Sequence, residues 1–175
     1  MPCNQTLSGL AQDCATSMGG ISEVYIASRD DVTTATVTED KVTAITMASE
    51  SKFKKYYFRP QTGSMTSNLH VDAQNGTNYW QTDLELKFAR METTKRIEIS
   101  ALAVNDMVAI VKDANGVYWY LGHDNPITAT AGTGQTGTAR DDGNYYQITL
   151  QDTSNQPPYE VEVGEEGVDL DTIVG

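Results

Sequence analysis

His123 stands beside Asp124, and an imidazole held by a carboxylate is the arrangement that general-base and nucleophilic chemistry uses. The pair comes at the end of an apolar run and just before Asn125-Pro126, which is the setting of a surface turn. Gly132-Thr-Gly-Gln-Thr-Gly137 fits G-x-G-x-x-G letter for letter. That motif binds a pyrophosphate only where a helix N-terminus follows it, and here Thr138-Ala-Arg-Asp-Asp-Gly-Asn144 follows, which reads as a turn. Asp30-Asp31 and Asp141-Asp142 lack the spaced oxygens of a calcium loop. Cys3 and Cys14 are not at metal spacing, and His70 and His123 are isolated, so the two cysteines are read as free thiols. No catalytic residue, cofactor site or metal site is assigned, and the expectation is a protein that is not an enzyme.

The elements that would position any site are mostly strands. Leu84, Leu86 and Phe88 alternate with Glu85 and Lys87, the period of a half-buried strand. Met107-Val-Ala-Ile-Val111 and Val117-Tyr-Trp-Tyr-Leu-Gly122 flank Asn115-Gly116, a strong hairpin signal, and Gln74-Asn75-Gly76 gives a second one between residues 64–72 and 79–90. Runs at 23–27, 33–38, 42–47, 53–58, 145–150 and 159–163 are rich in Val, Ile, Thr and Tyr. Between them, Thr93 or Thr94 caps a helix of about three turns ending at Asn105-Asp106, with Ile97, Ala101 and Val104 on one face and Ile99, Leu102 and Ala103 on the other; Arg96-Ile-Glu-Ile-Ser100 taken alone alternates like a strand, and the helix is the favoured reading. The expected fold is mainly β, an antiparallel sandwich or barrel of about nine strands with one packed helix over residues 93–104. Residues 128–144 read as a long loop of small residues. The expected organisation is an arm at 1–20, a β domain at 21–163 and an acidic tail at 164–175.

At 175 residues, 39% of them hydrophobic, the chain is long enough for a single domain with a real core. No run approaches the roughly 20 apolar residues of a membrane helix. Met1-Pro-Cys-Asn-Gln-Thr6 lacks the basic start and apolar core of a signal peptide, so the expectation is synthesis in a cytoplasm. The net charge of -12 is unevenly placed. Residues up to Arg96 hold 10 basic and 11 acidic side chains, while those from Ile97 onward hold 2 and 13. Lys52, Lys54, Lys55 and Arg59 cluster within eight positions, and the last sixteen residues carry only acids. A nucleic-acid binder needs a broad basic face, which this distribution argues against. The acids are either a solubilising tail or a surface for another copy's basic patch, and the rings of Tyr118-Trp119-Tyr120 and Tyr56-Tyr57 sit on both faces of their strands, so one face is open to solvent or a partner.

The helix, Asn105-Asp106, the strand after it, Asp113-Ala-Asn-Gly116, Tyr118-Trp-Tyr-Leu-Gly122, the Gly/Thr stretch and Asp142-Gly-Asn-Tyr-Tyr-Gln-Ile-Thr-Leu150 together resemble bacteriophage tail tube proteins, especially those of phages of gut Bacteroidales. Ser17-Met-Gly-Gly-Ile-Ser-Glu-Val-Tyr-Ile-Ala27 resembles the opening of the same group, and the likeness spans roughly residues 17–163. Type VI secretion tube proteins share that fold. The resemblance implies a virion protein made in the host cytoplasm, partnered by itself and by other tail proteins. Its hexameric rings would join inner sheets into a barrel and stack into the tube through which phage DNA leaves without specific binding. On this reading Lys52, Lys54, Lys55, Arg59, Tyr118 and Trp119 are candidate inter-subunit contacts, with the Lys52–Arg59 segment reaching the next ring. The arm at 1–20 and the tail after Tyr159 are candidates for ordering on assembly, and the acids after Ile97 fit a lumen that repels phosphate. The alternatives are another phage structural part, such as a tail terminator, baseplate or capsid decoration protein, and a monomeric sandwich that stacks carbohydrate on Trp80, Trp119 and nearby Tyr.

Overall fold

A computed structural model describes residues 6–175. The fold is mainly β, two sheets with one helix of more than two turns, as the strand-rich sequence predicts. The strands are β1 (Ile21–Ser28), β2 (Val32–Thr38), β3 (Lys41–Met47), β4 (Lys54–Tyr56), β5 (Gly63–Asp72), β6 (Thr77–Ala89), β7 (Met107–Asp113), β8 (Tyr118–Leu121), β9 (Thr128–Gln135), β10 (Tyr145–Ser154) and β11 (Tyr159–Val161). The helices are α1 (Thr93–Leu102) and the single turn α2 (Leu170–Ile173). One sheet runs β2-β3-β11-β8-β7-β1-β4 and the other β5-β6-β10-β9. All pairings are antiparallel except β3 with β11.

Alternation decides which side chains enter the space between the sheets. Val24 and Ile26 of β1, Met107, Ala109 and Val111 of β7, Leu84, Leu86 and Phe88 of β6, and Ile148 and Leu150 of β10 form one buried cluster. The residues between them on β1 and β7, namely Tyr25, Ala27, Val108 and Ile110, point the other way into a second cluster with Val42, Phe53, Tyr120, Val161, Val168 and Ile173. The strand β7 is therefore buried on both faces, which is why Met107–Val111 reads as an unbroken apolar run instead of alternating.

Both Asn-Gly hairpins form. Asp113 accepts from the amides of Asn115 and Val117 at 2.8 and 2.9 Å, and Gly116 takes φ 89°. Asp72 accepts from the amides of Gln74 and Asn75, and Gly76 takes φ 66°. The helix α1 ends at Leu102, two residues short of the predicted 104; its buried face is Leu102 with Ile99 against the inter-sheet core, while Ile97 and, just past the helix, Val104 are 58% and 82% exposed. Glu92 occupies the cap position, not Thr93 or Thr94.

Two segments differ from the sequence reading. Residues 128–135 are a strand paired along β10, not a loop, and Gly134 lies where a Cβ would come within 2.7 Å of the Tyr146 ring. The acidic tail is packed within the single chain and does not wait for assembly. Val168 and Ile173 are buried, the Phe53 amide donates to the Ile173 carbonyl at 2.8 Å, and the Gly175 amide donates to the Phe53 carbonyl at 3.0 Å. Apolar residues at 168, 170, 173 and 174 give the tail a face that its charges conceal in the sequence. Residues 6–19 of the arm are exposed, with Leu7 and Leu10 almost fully so. Among the described residues no helix is long and apolar enough to cross a membrane.

Candidate assembly interface

The four-stranded sheet has one face in the core and the other uncovered. Strand register puts Ser64, Thr66, Asn68 and His70 of β5, Tyr79, Gln81, Asp83, Glu85 and Lys87 of β6, and Tyr145, Gln147, Thr149 and Gln151 of β10 on the uncovered face. No aliphatic side chain larger than Ala lies on it within these strands. Its polar groups bond to one another. Asp83 accepts from Gln151 Nε2 at 2.8 Å and from Gln81 Nε2 at 3.3 Å, and the Lys87 ammonium lies 3.6 Å from the centre of the Tyr145 ring. Asp72, Asp83 and Glu85 against Lys87 give the face a net charge of -2 with His neutral.

The two edges of this sheet, β5 and β9, have no partner strand on their outer sides among the described residues. The order β5-β6-β10-β9 is antiparallel throughout, so β5 and β9 run in opposite directions. Edges of this kind are templates for another chain. A β9 laid beside the β5 of a second copy in the same orientation continues the antiparallel order.

The four basic residues predicted as one patch do not share one site: Lys54 and Lys55 of β4 border the same groove, while Lys52 and Arg59 lie outside that strand and elsewhere. Lys52 is exposed beside Gly175, so the basic run meets the acidic tail inside one chain. Lys54 lines a groove between β4 and α1 with Tyr56, Phe88 and Ile99. The Lys55 ammonium is 3.5 Å from Glu23 Oε2 and packs over the Tyr25 and Tyr57 rings. Arg59 lies at the far end of the four-stranded sheet, near Lys87 and Arg90. Tyr118 packs toward the second cluster with the Lys112 ammonium over its ring, and Trp119 packs against the inter-sheet core with Nε1 donating to Asp113 Oδ2 at 3.2 Å.

The carboxylates that follow Ile97 are not on the uncovered face. Glu160, Glu162, Glu165, Glu166, Asp169 and Asp171 belong to β11 and the tail packed with the seven-stranded sheet, and Asp152 points inward. Asp152, 3% exposed, accepts from the Gly122 amide at 3.2 Å and from the Ser154 hydroxyl at 2.7 Å, tying the two sheets together; burial pushes its carboxyl above the ordinary carboxylate range, against these two bonds.

The residues singled out for chemistry are apart. His123 Nδ1 lies 3.0 Å from Asp124 Oδ1, and Asp124 Oδ2 accepts from the Asn155 amide, so the pair closes a turn. Gly132 and Gly134 are in β9 and Gly137 opens a turn in which Asp142 takes the amides of Thr138 and Ala139, both at 2.7 Å. No group of three or more His, Cys, Asp or Glu is placed to hold a metal ion among the described residues. Cys14 is exposed, and Cys3 lies outside the described residues. Comparison of the chain with protein-family models, with curated proteins and with solved structures finds no match.

Proposed function

We propose that this chain is the subunit of a bacteriophage tail tube, a structural virion protein that assembles with itself into rings and stacks them around a channel. One observation carries the reading: a four-stranded sheet with two free, oppositely directed edges and one wholly polar, uncovered face. Joining β9 of one copy to β5 of the next uses different surfaces on the two partners, and such a contact closes into a ring when its rotation divides the circle. Hexameric closure follows from the resemblance to tail tube proteins. Closure leaves no unpaired edge in the four-stranded sheets. The polar faces then line the lumen, where a net charge of -2 per copy offers phosphates no counterion exchange and lets DNA slide. Host cytoplasm as the site of synthesis and the tail as the destination belong to the same proposal.

A carbohydrate-binding monomer is the less favoured reading, because Trp119 is committed to the core and to Asp113 and does not offer an open stacking platform. A tail terminator, baseplate or decoration protein would share the virion but would not need both edges free.

Size-exclusion chromatography with light scattering, followed by negative-stain imaging, tests the proposal. Hollow rings or tubes are expected. A Thr66→Cys, Thr133→Cys variant, with both side chains on the uncovered face, should form cross-links between these positions only between chains, since β5 and β9 are three strand spacings, roughly 14 Å, apart in one sheet and a disulfide spans less than about 7 Å between Cα atoms. A monomer at every concentration, with neither cross-links nor rings, refutes it.

A further inference from the structure

The strand β6 is 13 residues long, and its two ends differ in charge. Where it begins, the β5–β6 hairpin passes the last β10 pairing, Ser154 opposite Trp80, and projects with Val71 65% exposed and Asp72 at its turn. Asp106 and Asp124 are exposed at the same end. Arg29 is turned inward onto the carbonyls of Gly122 and His123. Bonds from the Asn75 backbone amide, its side chain and the Gln74 amide hold the Asp72 carboxyl below its usual range, so the hairpin tip stays an anion.

Where β6 ends, Arg59, Lys87 and Arg90 surround a groove with Tyr145. No carboxylate of the described residues is within ion-pair distance of these three cations. Asp141 and Asp142 also line the groove, Asp142 held as an anion by the amides of Thr138 and Ala139, so three cations against two carboxylates leave the groove a net charge of +1. The anionic tip and the cationic groove are roughly 40 Å apart along one strand, so they cannot meet within one chain.

We propose that the β5–β6 hairpin tip of one copy, led by Asp72, docks in the groove framed by Arg59, Lys87 and Arg90 of the copy above it, a head-to-tail contact along β6. This rests on the reading of the chain as a ring-forming subunit and names the surfaces by which one ring takes the next. The contact is heterologous and does not close, so it propagates into a filament while β9-to-β5 pairing closes each ring. Opposed charge fixes the polarity of stacking, because two groove ends or two hairpin ends repel.

The test separates rings from stacks. R59E/R90E is expected to give rings of wild-type mass by light scattering and tubes at least about fivefold shorter in negative stain, since two attractions become repulsions. D72N/Q74K, which keeps the turn's acceptor at position 72 and puts a cation at the tip, should shorten tubes alone and restore them when combined with R59E/R90E. Raising salt from about 0.05 M to about 0.5 M should shorten wild-type tubes without changing ring mass, because screening acts on exposed charges. Wild-type tube length in R59E/R90E, or salt-independent tubes, overturns this contact while leaving the ring reading intact. A wild-type chain that forms neither rings nor tubes overturns both.

Discussion

Phe53 and Ile173 provide a measurable test of whether the tail is part of the fold. Phe53 is fully buried in the second cluster, Ile173 is 8% exposed in the same cluster, and the Phe53 amide donates to the Ile173 carbonyl. Emptying a fully buried Phe site costs about 3–5 kcal/mol, so F53A should lose that much. Truncating Ile173, close to the surface, should cost about 2 kcal/mol, the low end for Ile to Ala. Both substitutions open the same cavity, so the double variant should cost less than the sum by about 0.5–2 kcal/mol. A domain stability of about 5–15 kcal/mol leaves each single variant folded enough to measure. The assay is urea unfolding followed by circular dichroism, with midpoint and slope fitted for all four chains. Costs that add to within about 0.3 kcal/mol, or an I173A cost below about 0.5 kcal/mol, would refute the packed tail and return residues 164–175 to a free acidic extension.

Two further outcomes are expected. The Asp152 carboxyl is raised in the folded state by burial, so its contribution to stability is fully present below the unfolded value near 4 and is lost as pH rises through the folded value. Urea midpoints of wild type and D152N compared from about pH 3 to about pH 7 should therefore show the wild type losing ground to the variant with rising pH, and a constant difference would show that Asp152 titrates as in the unfolded chain. The Tyr120 hydroxyl is buried without a hydrogen-bond partner among the described residues, and burial pushes its pKa up to about 12. The Arg29 guanidinium lies near enough to oppose that rise, but its two hydrogen bonds of good geometry go to the carbonyls of Gly122 and His123. Y120F should be neutral or stabilising by about 1 kcal/mol in thermal melts, and a loss above about 1 kcal/mol would mean that the hydroxyl is bonded in solution.

The sequence carried the local geometry well and the sheet arrangement poorly. Asn115-Gly116 and Asn75-Gly76 were readable because a positive φ has few residue solutions, and Leu84, Leu86 and Phe88 because a half-buried strand must alternate. β9 was not readable as a strand, since its Ala and Gly residues offset the β signal of its three Thr and its conformation is set by its pairing with β10. The helix was legible in place and not in orientation: its apolar residues lie on two faces, and packing against Phe88 and Met107 chose Ile99 and Leu102. Of Lys52, Lys54, Lys55 and Arg59, clustered in the chain, Lys54 and Lys55 still share a groove, while Lys52 and Arg59 lie beyond the ends of the short strand β4 and are placed elsewhere. The candidate interface was the least legible part, since a sequence shows that a strand has two faces but not which strands end a sheet.

The double burial of β7 sets where this protein can change. Every position from Met107 to Val111 faces one core or the other, and all five are at most 2% exposed. A polar replacement at any of them has no water to turn to, so drift there is confined to apolar residues of similar volume. On β6 between Asp83 and Lys87, every second residue faces outward and is free of that restriction. A lineage could therefore retune the charge and width of the polar face repeatedly while β7 stayed almost fixed, and in a deep set of relatives the most invariant strand would be one that touches no partner at all.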